Sequence, residues 1–149
     1  MKHNRILTLI VFAAGSSLLP LQAIADGKKN ALDEFMVTSS YQRTMCMFTA
    51  FGAIAKVEMG QADALSEIAK CRDEGRAELK NLFPRARAMV AKNPSALKLL
   101  KEFYAASIVA LDDMYPDLNL PKIDYERRQS EDSHKLDGLQ NQIEIEAGL

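Results

Sequence analysis

The stretch that decides the fold is NPSALKLLKEFYAASIVALDDMY, residues 93–115. Asn93 is a favourable N-cap, and Pro94 takes the first helical position, where its missing N–H costs no hydrogen bond. Small and apolar side chains then recur at spacings of four and three residues, and a second apolar stripe runs beside the first. The first stripe is Ala96, Leu100, Phe103, Ser107, Ala110 and Met114, and the second is Leu97, Tyr104, Ile108 and Leu111. Two adjacent stripes predict a helix that several neighbours cover, ending before Pro116.

The first 25 residues have the three parts of a secretory signal peptide. Lys2 and Arg5 supply positive charge, residues 6–14 are apolar, and Ala23-Ile24-Ala25 offers an A-x-A cleavage site before Asp26. An uncleaved membrane anchor is the alternative, but the continuous apolar run is shorter than the roughly 20 residues that a span needs. We therefore expect a periplasmic or otherwise secreted protein, with no membrane association after cleavage.

The mature chain is then residues 26–149, a length that predicts a single domain. The whole chain has 19 Lys and Arg residues, and two of them, Lys2 and Arg5, belong to the signal peptide. The mature chain therefore has 17 basic and 20 acidic side chains, a net charge of −3. This net negative charge argues against nucleic acid as a partner, because proteins that bind nucleic acid carry a clustered basic surface.

Three further segments have helical periodicity: residues 31–59, residues 63–92, and Asp124 to about Ala147. With residues 93–115 they predict an all-α fold, a small up-down four-helix bundle. Pro84 lies inside the second pattern, which resumes in phase at Ala86, so the second helix is predicted to be kinked at Pro84 and not broken there. The predicted inner face of the first helix is Leu32, Phe35, Met36, Met45, Phe48, Gly52, Ala55 and Met59. That of the second is Ala64, Ile68, Cys71, Gly75, Leu79, Leu82, Ala86 and Met89, and that of the fourth is Tyr125, Gln129, Asp132, Leu136, Leu139 and Ile143.

Cys46 and Cys71 are the only cysteines in the chain. In an oxidising compartment an even number of cysteines predicts a disulfide. If the first two helices fold back on each other at Gly60, the two cysteines lie at similar heights, within about 4–5 Å along the axis at 1.5 Å per residue. A redox pair or a metal site is less well supported, since those sites usually have a C-x-x-C spacing or more ligands. We predict a structural disulfide between the first two helices.

Two groups of polar residues are candidates for a binding surface. Four basic side chains follow one side of the second helix and could dock an acidic partner, or form an ordinary solvated face beside Asp73, Glu74 and Glu78. They are Arg72, Arg76, Lys80 and Arg87. The N-terminal half of the fourth helix interrupts its apolar stripe with Tyr125, Arg128 and Asp132, which marks either a functional site or a helix end beyond the bundle.

The sequence contains no catalytic motif that we can identify, and no metal site. The mature chain has one histidine, His134, which helical spacing places about 200° from the inward stripe and therefore in solvent. We expect no enzyme activity and no cofactor, and instead an exported protein that binds another protein, as an inhibitor, an immunity-type protector or a chaperone-like adaptor. The alternative is a periplasmic bundle that binds a small ligand or haem, with Tyr104, Tyr125, Arg128 and the methionines as its pocket. Met36 and His134 would be the axial ligands of a His–Met haem, but the predicted exposure of His134 weakens that arrangement.

Overall fold

The structure of the chain is a computed structural model that describes residues 31–117 and 121–149. Within these ranges the chain forms four α-helices: α1 Ala31–Glu58, α2 Leu65–Met89, α3 Pro94–Asp112 and α4 Lys122–Ala147. A short 3-10 turn, Ala62–Ala64, precedes α2. The predicted all-α class and the four predicted helices are confirmed. The predicted signal peptide, residues 1–25, lies outside the described residues.

The helix ends follow local rules that the sequence already contains. Gly60, with a φ of +89°, lies just after α1, at a backbone angle that L side chains rarely adopt. The side-chain oxygen of Asn93 accepts a hydrogen bond from the Ala96 N–H at 3.1 Å, which confirms it as the N-cap of α3. The start predicted for α4 was late: the helix begins at Lys122, so Asp124 lies in the first turn and is not the cap.

The predicted inner stripe of α3 is buried throughout, from Ala96 to Met114. Four aromatic side chains contact one another in this core. The rings of Phe83 and Tyr104 are stacked with their centroids 4.4 Å apart. The ring of Phe35 lies 5.9 Å from both Phe83 and Phe103, so α1, α2 and α3 share one apolar contact.

A disulfide joins Cys46 of α1 to Cys71 of α2, with 5.6 Å between the two Cα atoms. The predicted pairing is therefore confirmed. On the next turn of α2, a Cβ atom added at Gly75 would lie 3.2 Å from a methyl group of Leu111, so this glycine allows α2 and α3 to approach closely.

The most extensive contacts between helices are those of α1 with α2 and of α3 with α4, and α3 also contacts α1 and α2. Between α1 and α3, the hydroxyl of Ser39 donates a hydrogen bond to that of Ser107 at 2.7 Å. The Ser107 hydroxyl in turn donates to the Phe103 carbonyl at 2.8 Å. Two buried small polar residues are thus satisfied within the core. Pro84 lies inside α2, which continues through it, and the kink stays a prediction.

One part of the predicted core was wrong. Five members of the predicted inner face of α1 are exposed: Met45, Phe48, Gly52, Ala55 and Met59. The buried side of α1 is instead Leu32, Phe35, Met36, Ser39, Cys46, Ala50 and Ala53. The physical reason is the disulfide, because Cys46 must face α2 and Phe48 lies about 160° away from it around the helix. Met89, at the end of α2, is also exposed where the sequence pattern placed it inside.

Candidate interaction surfaces

The outer face of α1 is an exposed apolar stripe made of Tyr41, Met45, Phe48, Gly52, Ala55 and Met59. Its large members expose between 43% and 70% of their surface, with Phe48 near the middle at 62%. From Tyr41 to Met59, the residue directly after α1, the stripe rises through 18 steps, about 27 Å at 1.5 Å per residue. Val37 and Phe51 lie beside it and are exposed at 61% and 39%. Contiguous exposed apolar surface of this extent usually marks a site of interaction.

The same face is almost free of charge. Between residues 35 and 55 the only charged side chain is Arg43. Its guanidinium turns toward α4, where one terminal nitrogen donates a hydrogen bond to the Ser133 hydroxyl. Lys56, further along, is held by Glu67 of α2 with an N–O distance of 2.7 Å. No charged side chain therefore lies among the six residues of the outer face, and Glu58, which is exposed, lies next to its last residue.

Polar side chains at the borders of this face are satisfied within α1. The hydroxyl of Thr44 donates to the Ser40 carbonyl at 2.9 Å, and that of Thr49 donates to the Met45 carbonyl at 3.0 Å. If a partner covered these hydroxyl groups, they would keep their hydrogen bonds to the backbone. Gly52, in the middle of the face, has no side chain of the described residues within 4 Å of the position that a Cβ would take. No contact among the described residues therefore requires a glycine there.

The polar half of α4 covers the C-terminal end of α3. The hydroxyl of Tyr125 donates to the Met114 carbonyl at 3.0 Å, and the amide of Gln129 donates to the Asp113 carbonyl at 2.7 Å. Carbonyl groups at a helix C-terminus lack partners in the helix itself, so these two side chains satisfy them. Burial raises the pKa of Tyr125 to about 12. Tyr125 therefore has a structural role here, and its hydroxyl is a donor and not an open binding group.

Next to this contact lies a small group of incompletely satisfied polar atoms. Arg43 Nε, Gln129 Oε1 and Asp132 Oδ2 are buried and have no hydrogen-bond partner among the described residues. Burial raises the pKa of Asp132, and the nearby carboxylate of Asp113 raises it further. Arg128 is exposed, with its nitrogen 3.9 Å from an Asp113 oxygen. Of the three residues that the sequence pattern grouped together, Tyr125 is buried, Asp132 is half-buried and Arg128 is exposed.

The predicted basic stripe of α2 is partly neutralised by acidic neighbours. Arg76 pairs with Asp112 of α3 at 2.7 Å, and Arg72 lies 3.0 Å from Asp73 and 4.0 Å from Asp112. Lys80 and Arg87 are exposed. A strip with half of its charges paired in this way offers a weaker docking surface for an acidic partner than the sequence pattern indicates.

A groove of about 620 Å³ runs between α3 and α4, bordered by small residues such as Ala105 and Gly138. His134 lines it and is exposed, as its helical position predicts. Met36 is buried on α1, 2% exposed, and does not line this groove. The two side chains proposed as axial haem ligands therefore belong to different parts of the molecule.

Within residues 31–117 and 121–149, no group of three or more His, Cys, Asp or Glu side chains is placed to hold a metal ion. No helix in these ranges combines the length and apolarity that crossing a membrane requires.

Five of the six residues of the outer face of α1, all except Tyr41, were predicted from the sequence to lie in the core. The usable signal was the combination of two opposite apolar stripes on one helix with a near absence of charge. Such a helix is normally covered on both sides. Comparisons with models of protein families, with curated proteins and with solved structures found no match to this chain.

Proposed function

We propose that this chain is an exported small helical protein that acts by binding another polypeptide through the outer face of α1. The single observation that carries the proposal is the exposure of a continuous, uncharged apolar stripe on a helix whose opposite side is already buried. At about 150–250 Å² for a whole aromatic side chain, the exposed large residues of this face and its border present roughly 600–700 Å². The largest apolar patch on a typical monomer is about 300–600 Å².

The composition of the face favours a protein partner over a small ligand. Aromatic residues and methionine are enriched at the centre of protein interfaces, and Tyr41, Phe48 and Met45 are of this kind. Small ligands are bound in concave pockets, whereas this surface is the outer side of one helix. No observation favours the haem alternative. An inhibitor, an immunity-type protector and a chaperone-like adaptor are the forms that such binding would take in the periplasm or another secreted compartment.

The proposal includes the architecture of the mature chain as a rigid up-down four-helix bundle from Asp26 onward, with a bend of α2 at Pro84. Contact pairs support the antiparallel order. Between α1 and α2, Cys46 bonds to Cys71 and Glu34 lies 3.1 Å from Arg85. Residues earlier in α1 therefore contact residues later in α2, as in an antiparallel pair. A rigid frame lowers the entropy that is lost when a surface helix is bound.

A site-specific crosslink in the exporting cell tests the proposal. A photoreactive phenylalanine analogue replaces Phe48 in one variant and Ile145 of α4 in a control. Ile145 is 78% exposed and therefore at least as accessible as Phe48. We expect a discrete crosslinked product from position 48 and none from position 145. Equal products from both positions, or none from position 48, would refute binding through this face.

A further inference from the structure

We infer that the polypeptide that covers the outer face of α1 is a second copy of this chain, with the two α1 helices packed antiparallel about a two-fold axis. This inference rests on the proposed function, because it names the partner of the same surface. It is carried by the order of large and small side chains along the face, by the area that the face offers and by Gly52.

The six residues of the outer face are placed symmetrically about position 50. In an antiparallel pair centred there, each residue lies opposite the one whose number brings the sum to 100. Phe48 of one copy then meets Gly52 of the other, Met45 meets Ala55, and Tyr41 meets Met59. Each pair joins a large residue to a small one, or an aromatic ring to a methionine, which is a favourable contact. Because an isologous interface must be complementary to itself, this order of sizes meets its main requirement.

A parallel pair does not have this complementarity. With the two helices in register, Phe48 would face Phe48 and Gly52 would face Gly52. The two phenylalanine rings would crowd at one level and the two glycines would leave space at the next, although a well-packed interface has the density of a protein interior. The α1 pattern therefore selects the antiparallel arrangement. The spacing of the six residues, alternately four and three, is also that of a coiled-coil contact between two helices.

The area of the face is sufficient for a dimer. With the bordering Val37 and Phe51 included, two copies bring at most roughly 1,200–1,400 Å² of exposed apolar surface to the contact, which is the lower part of the range of about 1,200–2,000 Å² that specific interfaces bury in total. No charged side chain lies among the six residues, and the bordering threonine hydroxyls keep their hydrogen bonds to the backbone. Burial of the face therefore leaves no charge or hydroxyl uncompensated at its centre.

Gly52 is the independent observation. A glycine in the interior of an exposed helix weakens that helix, and no side chain of the described residues lies within 4 Å of its missing Cβ. A close approach by Phe48 of a second copy gives this position a reason to lack a side chain.

The experiment is sedimentation equilibrium of the purified mature chain, residues 26–149, with its disulfide intact. We expect the unmodified chain to be a dimer and Phe48→Glu to be a monomer. The dissociation constant of the dimer should rise roughly 30-fold or more, as for loss of a central aromatic anchor. Ile145→Glu, a charge at an exposed apolar residue of α4, should remain a dimer. A monomeric unmodified chain, or a dimer that persists in Phe48→Glu, would overturn the inference.

Gly52→Lys separates loss of the dimer from loss of the fold. In one copy the new side chain has open space and removes a glycine from a helix, so the helical circular dichroism should persist to higher temperature than in monomeric Phe48→Glu. In the dimer it occupies the place of Phe48 of the second copy, so the protein should be a monomer. A Gly52→Lys dimer would contradict the proposed packing.

Mixed oxidation tests the orientation. Chains carrying Tyr41→Cys and chains carrying Met59→Cys are combined, oxidised and weighed by mass spectrometry. The antiparallel pair predicts mainly the product that links position 41 to position 59, whereas products linking 41 to 41 and 59 to 59 would overturn it. If the purified chain is a monomer but the crosslink at position 48 in cells still yields a different protein, self-association fails and the proposed function stands.

Discussion

Removal of the disulfide by Cys46→Ala/Cys71→Ala should be among the most destabilising changes that leave the helices intact. The two cysteines are 25 residues apart. Closing a loop of this length restricts the unfolded chain by about 3.5 kcal/mol in the chain-entropy model. The folded state of a small domain is favoured by only about 5–15 kcal/mol, so this single bond supplies a large share of it.

Urea unfolding followed by circular dichroism measures this contribution in three samples: the oxidised chain, the reduced chain and the double variant. The reduced chain and the double variant should each lose about 3.5 kcal/mol of unfolding free energy. In heat unfolding this corresponds to a fall in Tm of roughly 10–17 °C for a chain of this size. Reductant should lower the stability of the unmodified chain and leave that of the double variant unchanged, which is the control.

The reasoning fails if reduction lowers the unfolding free energy by less than about 1 kcal/mol, since loop closure would then contribute little. It also fails if the double variant loses the α1–α2 contact while the reduced chain keeps it. In that case packing of the fully buried Cys46, and not the covalent bond, would hold the two helices together.

Three further changes have definite expected outcomes. Ser107→Ala should cost about 1–3 kcal/mol in urea unfolding because it leaves the buried Ser39 hydroxyl unpaired, whereas Ser39→Ala/Ser107→Ala should cost less than the single change. Asp132→Asn should raise stability at pH 7: the raised pKa means that the ionised carboxylate disfavours folding, and this penalty falls as the pH drops through the folded pKa. The gain should therefore vanish below pH 3.8, the unperturbed pKa, and a gain independent of pH would contradict this origin. In the monomeric Phe48→Glu background, Gly52→Ala should add about 0.5–1 kcal/mol of stability in heat unfolding, and a loss would show that the glycine is required within one copy.

Much of the fold could be predicted because its determinants are local. The Asn93 cap, Pro94 and the stripe from Ala96 to Met114 define α3 without reference to any other segment. The disulfide was predictable from the count of cysteines and from their similar distances to the turn at Gly60. These predictions depend on spacing and compartment, which the sequence contains.

The side of α1 that faces inward could not be read from hydrophobicity. Both sides of the helix are apolar, so periodicity alone does not distinguish a core stripe from an interface stripe. Cys46 resolves the choice once its bond to Cys71 is accepted, because Ala50 and Ala53 lie on its side of the helix and Phe48 lies opposite. The predicted stripe combined residues of both sides, and this is why its C-terminal half was wrong.

The polar half of α4 was identified as unusual, but its role depends on atoms that a sequence pattern does not place. Tyr125 and Gln129 bond to the carbonyl groups of Met114 and Asp113, which follow the end of α3. Whether those carbonyl groups lie within reach of Tyr125 and Gln129 depends on how α4 packs against α3. Helical periodicity predicts the direction of a side chain and not the partner that it meets.

Methionine oxidation of the native protein tests most directly whether the outer face of α1 is covered. Met45 and Met59 lie on this face, and Met89 on α2 serves as an internal control, with exposures of 43%, 70% and 56% in a single copy. Under mild peroxide, followed by peptide mass spectrometry, we expect Met45 and Met59 to react several times more slowly than Met89, and this protection to disappear in Phe48→Glu. If Met59 reacts fastest and Met45 reacts nearly as fast as Met89 in both proteins, the face is open to solvent and the proposed interaction surface is wrong.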